Sequence, residues 1–385
     1  MTPAAIPAAA SETGDPILLT PGPLTTSRSV KTAMLHDWGS RDDAFIRINA
    51  AVLERITALA GGEGSHATVP IQGSGTFAVE AMLTTFVPRD GKILILSNGA
   101  YGKRAAKICE YAGRAHAILE TAEDTPPDLG ALASRLADDR AVTHVFAVHC
   151  ETTSGILNPL AEIAALTQSH GRRLLVDAMS AFGALALGAR QLRIEALAAS
   201  SNKCLEGVPG MGFVVCDKAA LRAAKGNATA LCFDLFEQWT TMEKTGQWRF
   251  TPPIHVIAAL HRALEEHAAE GGVPGRGARY AANCRILVDG MRALGFAPLL
   301  PDRLQAPIIV TFHMPRDRRF AFETFYDKLR QRGYVIYPGK LTVADSFRIG
   351  CIGRLTAEHM KGAVAAVRDV LAEMGVAECG AAEAA

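Results

Sequence analysis

Leu174-Leu175-Val176-Asp177-Ala178 decides how this chain is read. Apolar residues in unbroken succession suit a strand buried on both faces, because a strand with one wet face alternates. An acid then closes the run. In open α/β sheets, ligands are held outside the carboxyl ends of such strands. Burying a carboxylate is costly unless it meets a cation. Taken alone, though, a strand-end aspartate is more often a helix cap or a structural hydrogen-bond acceptor. Three further runs resemble the first: Ile93-Leu94-Ile95-Leu96, Val145-Phe146-Ala147-Val148, and Met211 to Val215. Helical patterns lie between them at Thr76–Val87, Tyr101–Gly113 and Leu160–His170. The alternation predicts an α/β fold, with a mostly parallel sheet between helices.

Two other stretches carry chemistry. Gly73-Ser74-Gly75-Thr76-Phe77-Ala78 follows the apolar stretch Thr68–Ile71 and opens a helix. Glycines let a backbone approach an anion, and a helix start offers unpaired N–H groups. That makes a phosphate cradle. The same residues match GxGxxA, so a dinucleotide site and an NAD-dependent dehydrogenase are weighed. The next strand ends in Ser97-Asn98, with no acid to hold a ribose, which counts against that reading. A Gly-rich turn without a ligand is the plain alternative. The other stretch is Ser200-Ser201-Asn202-Lys203-Cys204-Leu205, followed by Gly207, Gly210 and Gly212. A half-buried lysine loses its proton more easily and can attack a carbonyl. Most lysines are surface groups, but this one stands 26 residues beyond Asp177, about one strand-to-strand step. A phosphate cradle, an acid for a ring nitrogen and a lysine for an aldehyde are the partners that pyridoxal phosphate needs.

Beyond about residue 252 the pattern changes. Helical stretches Ile254–Glu270 and Arg276–Leu294 come in succession. Strand-like Ile308–Phe312, Tyr334–Tyr337 and Phe347–Cys351 follow, with helices at Phe320–Arg332 and Thr356–Met374. The expected organisation is a mobile leader over 1–15, a large domain over 16–259, a smaller α+β domain over 260–375 and a tail over 376–385. The 385 residues hold 40 basic and 39 acidic side chains, a balance that gives no footprint for nucleic acid or an anionic membrane. With 49% hydrophobic and 21% charged residues, disorder as the dominant state is excluded. The eight cysteines are scattered with no CxxC pair, which predicts reduced thiols in a cytoplasmic protein without a metal site. No secretory signal and no transmembrane helix are expected.

With these residues in place, the chain resembles the fold-type I, class V pyridoxal-phosphate aminotransferases from Ile17 to Met374. The resemblance is carried by Leu19-Thr20-Pro21-Gly22-Pro23-Leu24-Thr25-Thr26, Asp37-Trp38-Gly39-Ser40-Arg41-Asp42, Gln72–Thr76 and His149-Cys150-Glu151-Thr152-Thr153-Ser154-Gly155. Further on it is carried by Ser201–Gly210, Gln247-Trp248-Arg249-Phe250-Thr251-Pro252-Pro253 and Phe347-Arg348-Ile349-Gly350. The Lys203 and Trp248 segments point to a phosphonate-handling branch. The resemblance implies that Lys203 binds the cofactor aldehyde and moves the substrate proton, and that Asp177 pairs with the ring nitrogen. It implies that Ser74, Gly75 and Thr76 hold the phosphate, that Tyr101 stacks on the ring, and that Thr152 lies near the phenolic oxygen. Asn202, Trp248 and Thr251 are added to the cofactor residues, Thr251 reaching over from a neighbouring subunit of a homodimer. Arg348 would grip the substrate carboxylate, with Arg41 and Gly22 also on the substrate side and Trp248 and Arg249 shaping the pocket.

The implied activity moves the amino group of 2-aminoethylphosphonate to pyruvate by a ping-pong route, giving phosphonoacetaldehyde and L-alanine, the first step of phosphonate degradation. An alanine–glyoxylate or serine–pyruvate type transaminase is the rival within the class, and a non-catalytic binding protein the rival outside it. Cys351, close to Arg348, raises a sulfur-handling relative. Such relatives usually carry His before the lysine, where this chain has Asn202, so Cys351 reads as a buried strand thiol.

Overall fold

The computed structural model describes residues 9–341 and 344–380. Its centre is a seven-stranded sheet in the order His66–Gln72, Met211–Asp217, Ile194–Ser200, Arg173–Asp177, Val142–Val148, Lys92–Ser97, Ala115–Glu120. Met211–Asp217 runs antiparallel to both neighbours, and the other pairings are parallel. The unbroken apolar runs have a simple cause. Leu94, Leu96, Val145, Ala147, Leu174 and Val176 enter one core, while Ile93, Ile95, Phe146, Val148 and Leu175 enter another. Side chains alternate across a strand, so a strand covered on both faces needs apolar residues at every position.

Toward the C-terminus a smaller three-stranded antiparallel sheet places Ser346–Gly350 between Ile309–His313 and Tyr337–Pro338. It has its own core, with Phe312, Phe325 and Phe347 against the helices Gly272–Ala293, Phe322–Gln331 and Ala357–Met374. The segment expected as one strand, Tyr334–Tyr337, is divided. Tyr334–Val335 pairs in parallel with Ile17–Leu18, and Tyr337–Pro338 joins the small sheet. Buried Ile336 anchors the chain where it changes partner. The helix expected from Arg276 begins four residues earlier, at Gly272. Pro274 fits there because the first turn leaves its N–H groups unused in any case.

Residues 1–8 of the expected leader and 381–385 of the expected tail lie outside the described residues. Within the leader, Ala9 N donates to Arg332 O at 2.9 Å and Asp15 pairs with Lys31. All eight cysteines are unpaired thiols, and all but Cys232 are buried. Cys351 lies just past the end of its strand, its N–H donating to Ile308 O. Among the described residues no helix is long and apolar enough to cross a membrane.

Candidate active site

The carboxyl ends of the central parallel strands open on one cavity of about 480 Å³. Its first wall is the glycine turn. Gly73 has φ +132°, and its N–H donates to Gly210 O at 2.9 Å. Ser74 then caps the twelve-residue helix Gly75–Phe86 by backbone conformation alone, leaving its hydroxyl unspent on that helix. The helix start therefore presents N–H groups and a hydroxyl to the cavity, as an anion requires. A Cβ on Gly75 would lie 2.3 Å from Met179 Sδ, so a larger residue here would have to push the Met179 side chain aside. Thr76 Oγ1 accepts from Arg104 Nη1 at 3.2 Å.

Asp177 closes its strand at the floor. Its Oδ1 accepts the Met179 N–H at 2.9 Å. Burial, reinforced by the charge of Glu151, pushes its carboxyl up to about 6. The next strand over ends at Ser200, whose buried hydroxyl has no protein hydrogen-bond partner and lines the cavity.

Lys203 projects from the turn beyond Ser200. The turn is pinned by Ser201 N to Met211 O at 3.0 Å, Gly207 N to Ser201 O at 2.9 Å, and Ser201 Oγ to Val208 O at 2.6 Å. Burial pushes the lysine amine below its ordinary value, which favours the neutral nucleophile. Its Nζ donates to Pro21 O at 2.6 Å. Gly22 follows with φ +124°, and a Cβ there would sit 2.7 Å from Lys203 Nζ. Gly22→Ala is therefore expected to displace the amine and strain the backbone by about 1–2 kcal/mol. The expected result is a kcat at least roughly tenfold lower with little change in overall fold, since one such misplacement is worth that much. Steady-state kinetics beside circular dichroism checks it, and a normal kcat would remove the contact from consideration.

A buried ion network holds the far side of the lysine turn. Glu206, in the left-handed region at φ +60°, accepts from Arg279 Nη2 at 2.7 Å and Tyr280 Oη at 2.6 Å. Arg276 Nη1 donates to Cys204 O at 2.6 Å, and both arginines reach Glu270 at 2.6 Å. Arg279 Nη1 also donates to Gly353 O, just beyond the strand that carries Arg348.

Arg348 is buried on that strand. Its Nη1 donates to Thr152 O at 2.8 Å and its Nε to Pro338 O at 3.1 Å. Tyr101, in the first turn of the helix Ala100–Tyr111, lines the cavity. Burial pushes its hydroxyl up, but the Thr152 hydroxyl and the ammonium groups of Lys340 and Lys203 outweigh this and lower it overall. Buried Glu151 ties the two segments together, accepting from Tyr101 N at 3.2 Å and Thr153 N at 2.9 Å.

Ser74, Gly75, Thr76, Tyr101, Asp177, Asn202 and Lys203 thus line one cavity. Thr152 meets Arg348, and Gly22 meets Lys203. Four expected residues stand elsewhere in this chain, among them Arg249, whose Nη1 donates to Leu231 O at 3.0 Å. Trp248 donates its indole N–H to Asn49 Oδ1 at 2.9 Å and, with Thr251, lines a separate hollow. Arg41 is exposed in the turn before the helix Asp43–Leu59. Sequence reading missed Arg104, Ser200, Glu151 and Lys340. Arg104 had a signal, since it lies three residues after Tyr101 on the same helical face.

The residues present fit pyridoxal phosphate. The idle Ser74 hydroxyl, the unpartnered Ser200 hydroxyl and the buried Asp177 carboxyl are polar groups left for a ligand to satisfy.

Comparison with known proteins agrees. The model of the class-V aminotransferase family matches residues 29–335. A 2-aminoethylphosphonate–pyruvate transaminase of Pseudomonas putida KT2440 is 57% identical over 361 residues, covering 94% of this chain and 98% of that protein. One from Pseudomonas aeruginosa PAO1 is 56% identical over 363 residues, covering 94% and 98%. Among solved structures, alanine–glyoxylate aminotransferase from Nostoc sp. superposes with a TM-score of 0.87 at 22% identity, covering 96% of this chain and 97% of that one. Pyridoxamine–pyruvate aminotransferase from Mesorhizobium loti gives 0.84 at 24% identity, covering 95% and 94%. The last two likenesses concern the fold, which is that of fold-type I aminotransferases. On the family match and the identity to these relatives, the chain belongs to the class-V aminotransferase family.

Proposed function

We propose that this protein is a pyridoxal-phosphate-dependent transaminase that converts 2-aminoethylphosphonate and pyruvate to phosphonoacetaldehyde and L-alanine in a ping-pong cycle. The observation that carries the substrate pair is the 57% identity, along nearly the whole chain, to a transaminase named for it. The cavity geometry supports the chemistry. Ser74, Gly75 and Thr76 would hold the phosphate, Asn202 the same end, Asp177 the ring nitrogen, Tyr101 the ring and Thr152 the phenolic oxygen. When bound, the cofactor supplies an electron sink for the negative charge that develops at the amine-bearing carbon.

The chain's own groups do the rest. Lys203 Nζ would hold the cofactor aldehyde when no substrate is bound and, once free, would move the proton of the amine-bearing carbon as base and then acid. Its lowered basicity makes its proton easier to give up. Asp177 would stabilise positive charge on the ring nitrogen of the bound cofactor. Arg348 offers a planar fork to the pyruvate carboxylate. Its guanidinium is already braced by two carbonyls, so it loses little freedom on binding.

We further propose a cytoplasmic homodimer with shared active sites. Thr251 and Trp248 border an exposed hollow with Phe250, and this placement suits groups that complete a neighbour's cofactor site. Arg41, exposed in its own chain, would reach substrate the same way. The division expected at residue 259 lies within the helix Ile254–Ala269, with the cofactor residues and Arg41 before it and Arg348 after it.

Asp177 gives this reading a pH signature. An unfolded aspartate ionises near its ordinary 3.8, and the folded one near 6. Between those values the folded chain keeps a proton that the unfolded chain has lost. Stability without cofactor therefore falls as pH rises through that window, by roughly 3 kcal/mol, and stays lower above it. A cationic ring nitrogen opposite the carboxylate removes the cost. The gain in thermal midpoint on adding pyridoxal phosphate is thus expected to be larger at about pH 7.5 than at about pH 5. Asp177→Asn should flatten the difference, and an equal gain at both pH values in the parent protein would rule out this role.

The direct test of the function is the visible band of the loaded enzyme. Adding 2-aminoethylphosphonate should bleach it, and adding pyruvate should restore it. Bleaching by serine or alanine, but not by 2-aminoethylphosphonate, would keep the cofactor and overturn the phosphonate assignment.

A further inference from the structure

Two substrates of unequal charge must use one site. A phosphonate carries up to two negative charges, and the pyruvate carboxylate carries one. Both must bring a reacting carbon to Lys203 Nζ, and Arg348 alone matches a single carboxylate. A site that accepts the dianion well needs a second cation. Arg104 is committed toward the cradle, where it donates to Thr76. Arg41, exposed in its own chain, would come only from the neighbouring subunit, whereas Lys340 is carried by the same chain as Arg348.

Lys340 is placed for the task. Its Nζ lies 4.3 Å from the centre of the Tyr101 ring. The backbone that delivers it is tightly fixed. Tyr337 is in register with Arg348 and Pro338 with Phe347, and Gly339 N donates to Ser346 O at 2.8 Å. A Cβ on Gly339 would lie 2.2 Å from Ser346 Oγ, so the close approach requires glycine. Arg348 Nε braces Pro338 O, two residues before Lys340. The two cations therefore leave one strand pair as a unit. Tyr101 feels the charge of Lys340, and Arg348 in turn feels Tyr101, so both converge on the ring that walls the cavity. Buried Glu151, behind the Tyr101 amide, is the acid that faces this group.

We propose that Lys340 is a specificity-determining residue that supplies the phosphonate with its second positive charge beside Arg348. This rests on the function proposed above. A lysine suits the role, since it meets a phosphonate as a point charge and needs no planar match. The alternative is that its ammonium only steadies the Tyr101 ring. That role would affect every substrate alike.

The test compares half-reactions of the holoenzyme, followed by its visible band, in the parent and in Lys340→Met. The value of kcat/KM for 2-aminoethylphosphonate should fall about tenfold to a hundredfold, while that for L-alanine changes by less than roughly threefold. Lys340→Arg should recover most of the loss. Calorimetric titration with ethylphosphonate, which lacks the amine, should weaken by a similar factor in Lys340→Met, and titration with acetate should not. Equal losses for both amines, or no loss, would overturn the proposal. A parent enzyme that fails to react with 2-aminoethylphosphonate would instead sink the function itself, and Lys340's role with it.

Discussion

Lys203→Ala is expected to lower kcat by about a thousandfold or more while leaving the fold in place. Two functions are lost together: the covalent anchor for the aldehyde and the group that moves the substrate proton. The structure indicates why folding should survive. The amine is buried, and it donates to Pro21 O at 2.6 Å. Removing the side chain relieves the desolvation that depresses its basicity. The cradle at Ser74–Thr76 and the Asp177 floor remain, so the variant should still take up pyridoxal phosphate, without the covalent attachment. Steady-state kinetics at saturating cofactor, with circular dichroism and a thermal midpoint, checks both halves. A kcat within tenfold of the parent would assign the chemistry to another group.

Arg276→Met should produce the largest loss of stability, about 3 kcal/mol, because it breaks a buried ion pair from one side. Arg276 is 1% exposed. It donates to Glu270 and to Cys204 O, the carbonyl next to Lys203. Methionine fills much of the volume but leaves that carbonyl without its donor, and Glu270 keeps only Arg279. The lysine turn should loosen, so weaker cofactor retention should accompany the lower denaturant midpoint. Arg262→Ala is the contrast. It removes an exposed pair with Glu265 and should cost less than about 1 kcal/mol. Comparable losses in the two variants would show that the network does not support the turn.

Much of the central layer was legible because burial on both faces leaves continuous apolar runs, as at Ile93–Leu96 and Leu174–Val176. The edge strand Ala115–Glu120 was not, since its residues are largely half-exposed or exposed and leave no such run. Ile194–Ser200 was hidden for another reason. Its buried Glu195 breaks the apolar pattern and is matched by His144, a partner 51 residues away. The same contrast holds at the site. Asp177, Lys203 and the Gly73–Thr76 turn carry local signals. Glu151 and Lys340 do not, because their roles arise from approaches to Tyr101 made by distant segments. The Lys203 position itself depended on strand order, as the link from Asp177 to Ile194 is a series of turns where a crossover helix would be usual.

The bridge from Arg276 and Arg279 to Glu206 sets an order on the life of the chain. A polypeptide emerges from its N-terminus, and domains tend to fold as they appear. The cradle, the floor acid and the lysine are all present once residue 217 has been made. The guanidinium groups that neutralise Glu206 come about seventy residues after it, and the Gly353 carbonyl that fixes Arg279 later still. Until then an uncompensated acid sits three residues from the nucleophile. The far side of the lysine turn is thus braced only by residues made much later. A nascent chain halted before Gly272 would carry the cradle, the acid and the lysine without the guanidinium brace behind the lysine turn.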